Sequence, residues 1–172
     1  MEELNKPEEE NEIYPVAKVR LKSEAILFEN IQEGFENYEY FILEGGKEAY
    51  KKFLMQSYEI NGQDGVFGDF YYSSLGEAEK ESFRQGLAEK GHKFYMPESW
   101  GQGVYYCLTK EGLSFLADIT LDEILLSTFY FTKFACTIWG NYGLKFPCFF
   151  RDKYVKDKYK DLALNCGLRI SK

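Results

Sequence analysis

The chain has 172 residues, 45% hydrophobic and 28% charged, a balance that belongs to a folding sequence rather than a disordered one. Its net charge of -7 is spread unevenly, with six Glu and one Lys in residues 1–12 and seven Lys/Arg against three Asp in residues 151–172. An acidic body does not attract a phosphate backbone, so nucleic acid is disfavoured as a partner and a basic protein is favoured.

Residues 1–12, MEELNKPEEENE, are polar and acidic and predict a disordered tail before a single α+β domain over 13–172. No basic region followed by an apolar one opens the chain. The longest nearly apolar run, 124–139, is broken by Lys133 and is short for a bilayer helix. These features lead us to expect a cytoplasmic chain with no membrane partner.

In residues 14–21, Val19 and Leu21 alternate with Lys18, Arg20 and Lys22, which predicts a strand. Leu27, Phe28, Ile31 and Phe35 then fall at helical spacing behind Ser23, a candidate N-cap. Residues 38–43 predict a strand. Residues 47–58 predict an amphipathic helix with Ala49, Tyr50, Phe53, Leu54 and Ser57 on one face. A strand is expected over 66–72. A helix should follow, opened by the Ser74/Glu77 capping pair and stopped at Gly91.

Residues 92–96 and 103–108 predict a hairpin joined by PESWGQ. Thr109 should cap a helix over 110–118, and Thr120 with Glu123 should open another over 121–133. The stretch TIWGNYGLKFPCFF predicts a second hairpin. There Cys136 and Ile138 share an apolar face with Leu144, Phe146, Cys148 and Phe150. A turn at Asn141-Tyr142-Gly143 places Cys136 opposite Cys148 and leaves Trp139 and Tyr142 off the apolar face. Pro147 predicts an edge or a bulge. Asp152 should cap a last helix that ends at Gly167. About five to six helices and mostly antiparallel strands result, an α+β fold.

Chemistry-bearing motifs are sparse. The cysteines at 107, 136, 148 and 166 make no Cys-x-x-Cys, and His92 is the single histidine, so neither a metal nor a cofactor is expected. Gly62, Gly65 and Gly68 follow a helix rather than precede one, which does not suit a phosphate loop. Asp64 and Asp69 in that loop are candidate oxygen ligands or partner contacts. His92 closes a helix, where it suits the dipole; a pairing with Cys107 would make it a base.

Leu87, Glu89, Lys90 and Gly91, then Tyr106, Leu108, Thr109, Gly112 and Leu116, give residues 86–119 a local resemblance to the last half of a winged-helix domain. The resemblance implies DNA binding through the helix at 75–90, which carries four Glu against two Lys and one Arg.

With 14 Tyr, 15 Phe and two Trp, aromatic side chains are in surplus, and such residues favour interfaces. Trp100, Gln102, Trp139, Tyr142, Asp64 and Asp69 are the candidate partner-binding residues. The leading expectation is a non-enzymatic, acidic interaction protein of inhibitor, immunity or anti-defence type. Self-association is left open. The alternative is a small hydrolase or transferase using cleft carboxylates and Tyr, with Asp69, Asp118, Asp122 and Glu123 as candidates.

Overall fold

The computed structural model describes residues 13–16, 18–92 and 103–172. One antiparallel sheet of eight strands organises them. In chain order the strands are β1 (Ile13–Pro15), β2 (Glu39–Glu44), β3 (Val66–Asp69), β4 (Tyr105–Leu108), β5 (Thr128–Phe131), β6 (Cys136–Trp139), β7 (Lys145–Phe150) and β8 (Arg169–Ser171). Their order across the sheet is β1-β4-β3-β5-β6-β7-β2-β8. Six helices accompany them: α1 (Lys18–Glu24), α2 (Ile31–Asn37), α3 (Lys47–Asn61), α4 (Glu77–Glu89), α5 (Lys110–Leu121) and α6 (Lys153–Asn165). The fold is α+β.

Side chains alternate between the two faces of a strand, so each buried strand feeds two layers. Phe129, Ile138, Cys148 and Phe41 form one row across β5, β6, β7 and β2, facing the core built with α3, α5 and α6. Cys107, Phe67, Tyr130, Thr137 and Phe149 form a row on the opposite face. There Leu21 and Ala25, from α1 and its end, pack against Phe67, Cys107 and Tyr130. Phe28 and Phe35 close edge-to-face on Phe149 farther along. The residues that cover this second face come from the first quarter of the chain.

Two of the expected caps form. The Thr109 hydroxyl accepts the Gly112 N–H at 3.1 Å, and Asp152 accepts the Val155 N–H at 2.8 Å. Gly91 and Gly167 take positive φ after α4 and α6. Gly143 does so in the β6–β7 turn, with φ 73°.

Several expectations are corrected. Within 14–21 the strand is confined to β1 and gives way to α1, because Leu21 and Ala25, four apart, bury one helical stripe against the second face. Ser23 lies inside α1 rather than capping a helix, and Asn30 caps α2 by accepting the Glu33 N–H. Gly76, not Ser74, sits at the N-cap of α4, with no side-chain cap. Residues 121–133 are not a helix. α5 runs on to Leu121, and the Thr120 hydroxyl accepts the Ser127 N–H at 3.1 Å, turning the chain into β5. The β6–β7 register lies two residues from the expected one, pairing Ile138 with Cys148 and Cys136 with Phe150. β7 is interior rather than an edge. Its pairing with β6 stops at Cys148, just short of Pro147, which lacks the donor to continue it.

Both edges of β4 are occupied, by β1 and by β3, over Tyr106 and Cys107. β4 thus belongs to a wide sheet rather than a wing. The residues 93–96 of the strand expected over 92–96, and the acidic tail over 1–12, lie outside the described residues.

Candidate functional site

The second face is not fully covered. Beyond the Phe67–Cys107–Tyr130 cluster, the next row of the same face runs across four strands. Tyr105 of β4 pairs with Asp69 of β3, and Thr128 of β5 pairs with Trp139 of β6. The middle link is a hydrogen bond in which the Thr128 N–H donates to Asp69 Oδ1 at 2.7 Å. α1 and the segment after it stand off this row and leave a cleft of about 390 Å³.

The sheet supplies Asp69, Tyr105, Tyr130 and Trp139 to the cleft. Tyr71, just past β3, joins them. The facing wall is Leu27, Phe28 and Glu29, with Glu33 from α2 and with Lys18 and Lys22, one helical turn apart, from α1. That wall is fixed by polar pins. The Thr137 hydroxyl donates to Ile26 O at 2.7 Å, Arg151 donates to Ala25 O at 3.2 Å, and the Glu29 N–H donates to Glu33 Oε2 at 2.9 Å. Phe28 lies nearly parallel to the Trp139 indole, with centroids 5.6 Å apart.

Asp69 is the chemically distinctive group. It is 3% exposed. Tyr130 donates to its Oδ2 at 3.3 Å, and Tyr71 lines the cleft beside it. Among the described residues no Lys, Arg or His forms an ion pair with it, although nine such pairs occur elsewhere. Burial pushes its pKa up to about 7 despite hydrogen bonds that favour the charged form. Tyr71, 40% exposed, is pushed up to about 12, first by burial and then by the neighbouring Asp69 charge. Burial likewise raises Tyr105 and Tyr130, with Asp69 adding to both. The site therefore holds a carboxyl able to lose or gain a proton near neutrality, in one cleft with a phenol that reaches solvent.

Other candidate residues lie elsewhere. Asp64 is exposed in the turn before β3, at the far end of that strand from Asp69, and the two do not converge on one ion. Among the described residues no group of three His, Cys, Asp or Glu is placed to hold a metal. Gly68 is buried in β3 against Leu116 and Leu108, so the glycine-rich segment serves packing. Tyr142, 65% exposed, stands at the β6–β7 turn. Trp100 and Gln102 lie outside the described residues.

The other candidate aspartates are paired in place. Lys51 pairs with Asp118 at 2.7 Å, and Asp122 takes both Lys47 at 2.7 Å and His92 Nε2 at 2.8 Å. These partners hold Asp122 below its ordinary range, Lys47 most strongly. Glu123 accepts the Gly143 N–H at 2.8 Å and tethers the β6–β7 turn to the end of α5. His92 thus meets Asp122 rather than Cys107, which faces Phe67 and Tyr130 in the second-face cluster. A further groove, about 400 Å³, lies between the end of α3 and the start of α5. Of its charged residues Glu59 and Lys110 pair with each other and Glu111 is exposed, so no buried carboxyl lines it.

Sequence reasoning selected Asp69 and Trp139 and missed Tyr71, Tyr105, Thr128 and Tyr130. Period-two reading of 66–72 places Phe67, Asp69 and Tyr71 on one face and would have found Tyr71. Tyr105 and Tyr130 reach Asp69 only through the sheet order β4-β3-β5.

Comparison with protein-family models, with curated proteins and with solved structures gave no match. Among the described residues no helix is long and apolar enough to cross a membrane.

Proposed function

We propose that this chain binds a small molecule in the Asp69 cleft and exchanges a proton with it, as a general acid–base enzyme built from a carboxyl and tyrosines. One observation carries the reading. A carboxyl 3% exposed and without a cationic partner among the described residues opens onto a 390 Å³ cleft. An unpaired buried carboxylate costs stability, and such groups concentrate where a protein uses them. Pockets of this size, lined by aromatics with a few converging polar groups, suit small ligands.

Asp69 in its ionised form takes a proton from the ligand, and in its protonated form returns one. An acidity close to neutral serves both directions. Tyr71, in the same cleft as Asp69 and partly in solvent, is placed to pass the proton between the carboxyl and bulk water. Hydrolase or transferase chemistry is the reaction class this supports. The test is a fragment screen by protein NMR at about pH 6 and pH 8, either side of the Asp69 midpoint. Fragments that move Tyr130 and Trp139 signals in a pH-dependent manner support the site. Identical responses in Asp69→Asn overturn the role of the carboxyl.

A second reading keeps the acidic, cytoplasmic interaction protein with a basic protein partner. Exposed Tyr142 at the tip of the β6–β7 turn supports it. Capture of a basic protein that is lost in Tyr142→Ala and weakened by salt supports this reading; retention by the variant opposes it.

A further inference from the structure

We propose that the ligand group seated over Asp69 is a methylated ammonium ion, of the trimethylammonium kind carried by choline, in preference to a primary amine. The inference rests on the cleft being a ligand site and specifies what it takes.

Charge is the first argument. Lys18 and Lys22 face the cleft from α1, Glu29 from the segment before α2, and Glu33 from α2 itself. With Asp69 ionised, these groups leave one negative charge uncompensated, the one deepest in the protein. A monovalent cation over Asp69 cancels it where water cannot. An anion placed there would face Asp69 directly and be repelled.

The walls are the second argument. Tyr105 and Trp139 occupy the two ends of the row that has Asp69 and Thr128 at its floor. Three strand spacings separate their backbones, about 14 Å, so the rings flank a gap above the carboxylate. Tyr130 sets its hydroxyl on Asp69 Oδ2, and Tyr71 adds a further aromatic side chain to the lining. Aromatic faces around a carboxylate attract an organic cation through the ring quadrupoles.

Hydrogen-bond capacity selects among cations. A carboxylate offers about four lone-pair sites. The Thr128 N–H takes one on Oδ1 and the Tyr130 hydroxyl one on Oδ2, and the carboxyl is 3% exposed, which leaves a ligand little access to the rest. A primary ammonium is strongly hydrated and brings three N–H donors, for which the ring faces of Phe28, Tyr105, Tyr130 and Trp139 offer no acceptor in exchange for the water it sheds. A trimethylammonium has no donor to satisfy and needs only charge and aromatic contact. Each donor left unmade in a buried site weakens binding, so the discrimination should be roughly tenfold.

Titration calorimetry with choline and with ethanolamine tests this. At about pH 8.5, where Asp69 is ionised, choline should bind roughly tenfold tighter than ethanolamine. Its affinity should fall as pH drops below 7, and in that range binding should release up to one proton, read from buffers of different ionisation heat. Trp139→Leu and Tyr105→Leu should each lose choline binding, as should Asp69→Asn. The two aromatic variants keep the test open if the asparagine disturbs folding. Ethanolamine binding as well as choline, or choline affinity unchanged in both aromatic variants, would overturn the proposal. So would a silent choline titration. If neutral fragments still move Tyr130 and Trp139 while choline does not, the ligand class is wrong and the cleft remains a binding site; if nothing moves them, both fall.

Discussion

Asp69 and Thr128 lie side by side on neighbouring strands, and the Thr128 N–H donates to the Asp69 carboxyl at 2.7 Å in a place 3% exposed to solvent. The carboxyl thus closes the end of the β3–β5 ladder and floors the cleft at once. Burial lifts its pKa from 3.8 to about 7. A group raised on folding holds its proton more tightly in the folded chain than in the unfolded one. Its stabilising contribution is complete below pH 3.8 and is lost as pH rises to about 7. Urea denaturation across this window should show wild type losing stability relative to Asp69→Asn, by up to about 4 kcal/mol. Parallel pH profiles for the two proteins would contradict the buried-acid account.

Tyr159 ties α6 to α3 and to the turn before β6. Its hydroxyl donates to Phe134 O at 2.7 Å and accepts from Asn61 Nδ2 at 2.8 Å, while Asn61 Oδ1 accepts the Phe134 N–H at 2.9 Å. Tyr159→Phe should cost about 1–2 kcal/mol in urea denaturation, since it strands Phe134 O and Asn61. Combined with Asn61→Ala, the losses should be less than additive, because both variants break one network.

Gly140 ends β6 against the start of β5. A Cβ there would lie 2.7 Å from Thr120 Cγ2 and closer still to the Ser127 carbonyl oxygen, which is backbone and cannot step aside. Gly140→Ala should cost about 2–3 kcal/mol and lower the melting temperature. Because Ser127 precedes Thr128, the same variant should also disturb the Asp69 cleft. An unchanged melting temperature would show that the β5–β6 approach is looser than described.

Cys136 and Cys148 are buried without solvent contact, and burial pushes the Cys136 thiol well above its ordinary value, its neighbour Cys148 adding to the effect. All four cysteines are free. The thiolate is the reactive form, so native protein should resist iodoacetamide at both positions and react there only when unfolded. Mass spectrometry of native and denatured samples checks this.

Legibility in the sequence followed the range of the interaction. Thr109 and Asp152 were readable as caps because a cap is settled within three residues. Thr120-x-x-Glu123 matched the same pattern and misled, because the Thr120 hydroxyl is spent on Ser127 and Glu123 turns to φ 56°. β5, Thr-Phe-Tyr-Phe, is buried at every position, and such a run has no period to distinguish strand from helix. In the hairpin, parity correctly separated Trp139 from Cys136 and Ile138, but parity is blind to a slip of two residues. Asp69 and Trp139 were individually visible as polar and aromatic residues. That they share a cleft depends on β5 lying between β3 and β6, and on α1 forming where a strand was expected.

The account stands on Asp69 being a buried acid that titrates near neutrality in an accessible cleft. Carbon-13 NMR of the aspartate carboxyls, with the Asp69 signal assigned by its loss in Asp69→Asn, measures this directly. The predicted midpoint is about 7. A midpoint in the ordinary carboxylate range, near 3.8, would contradict it.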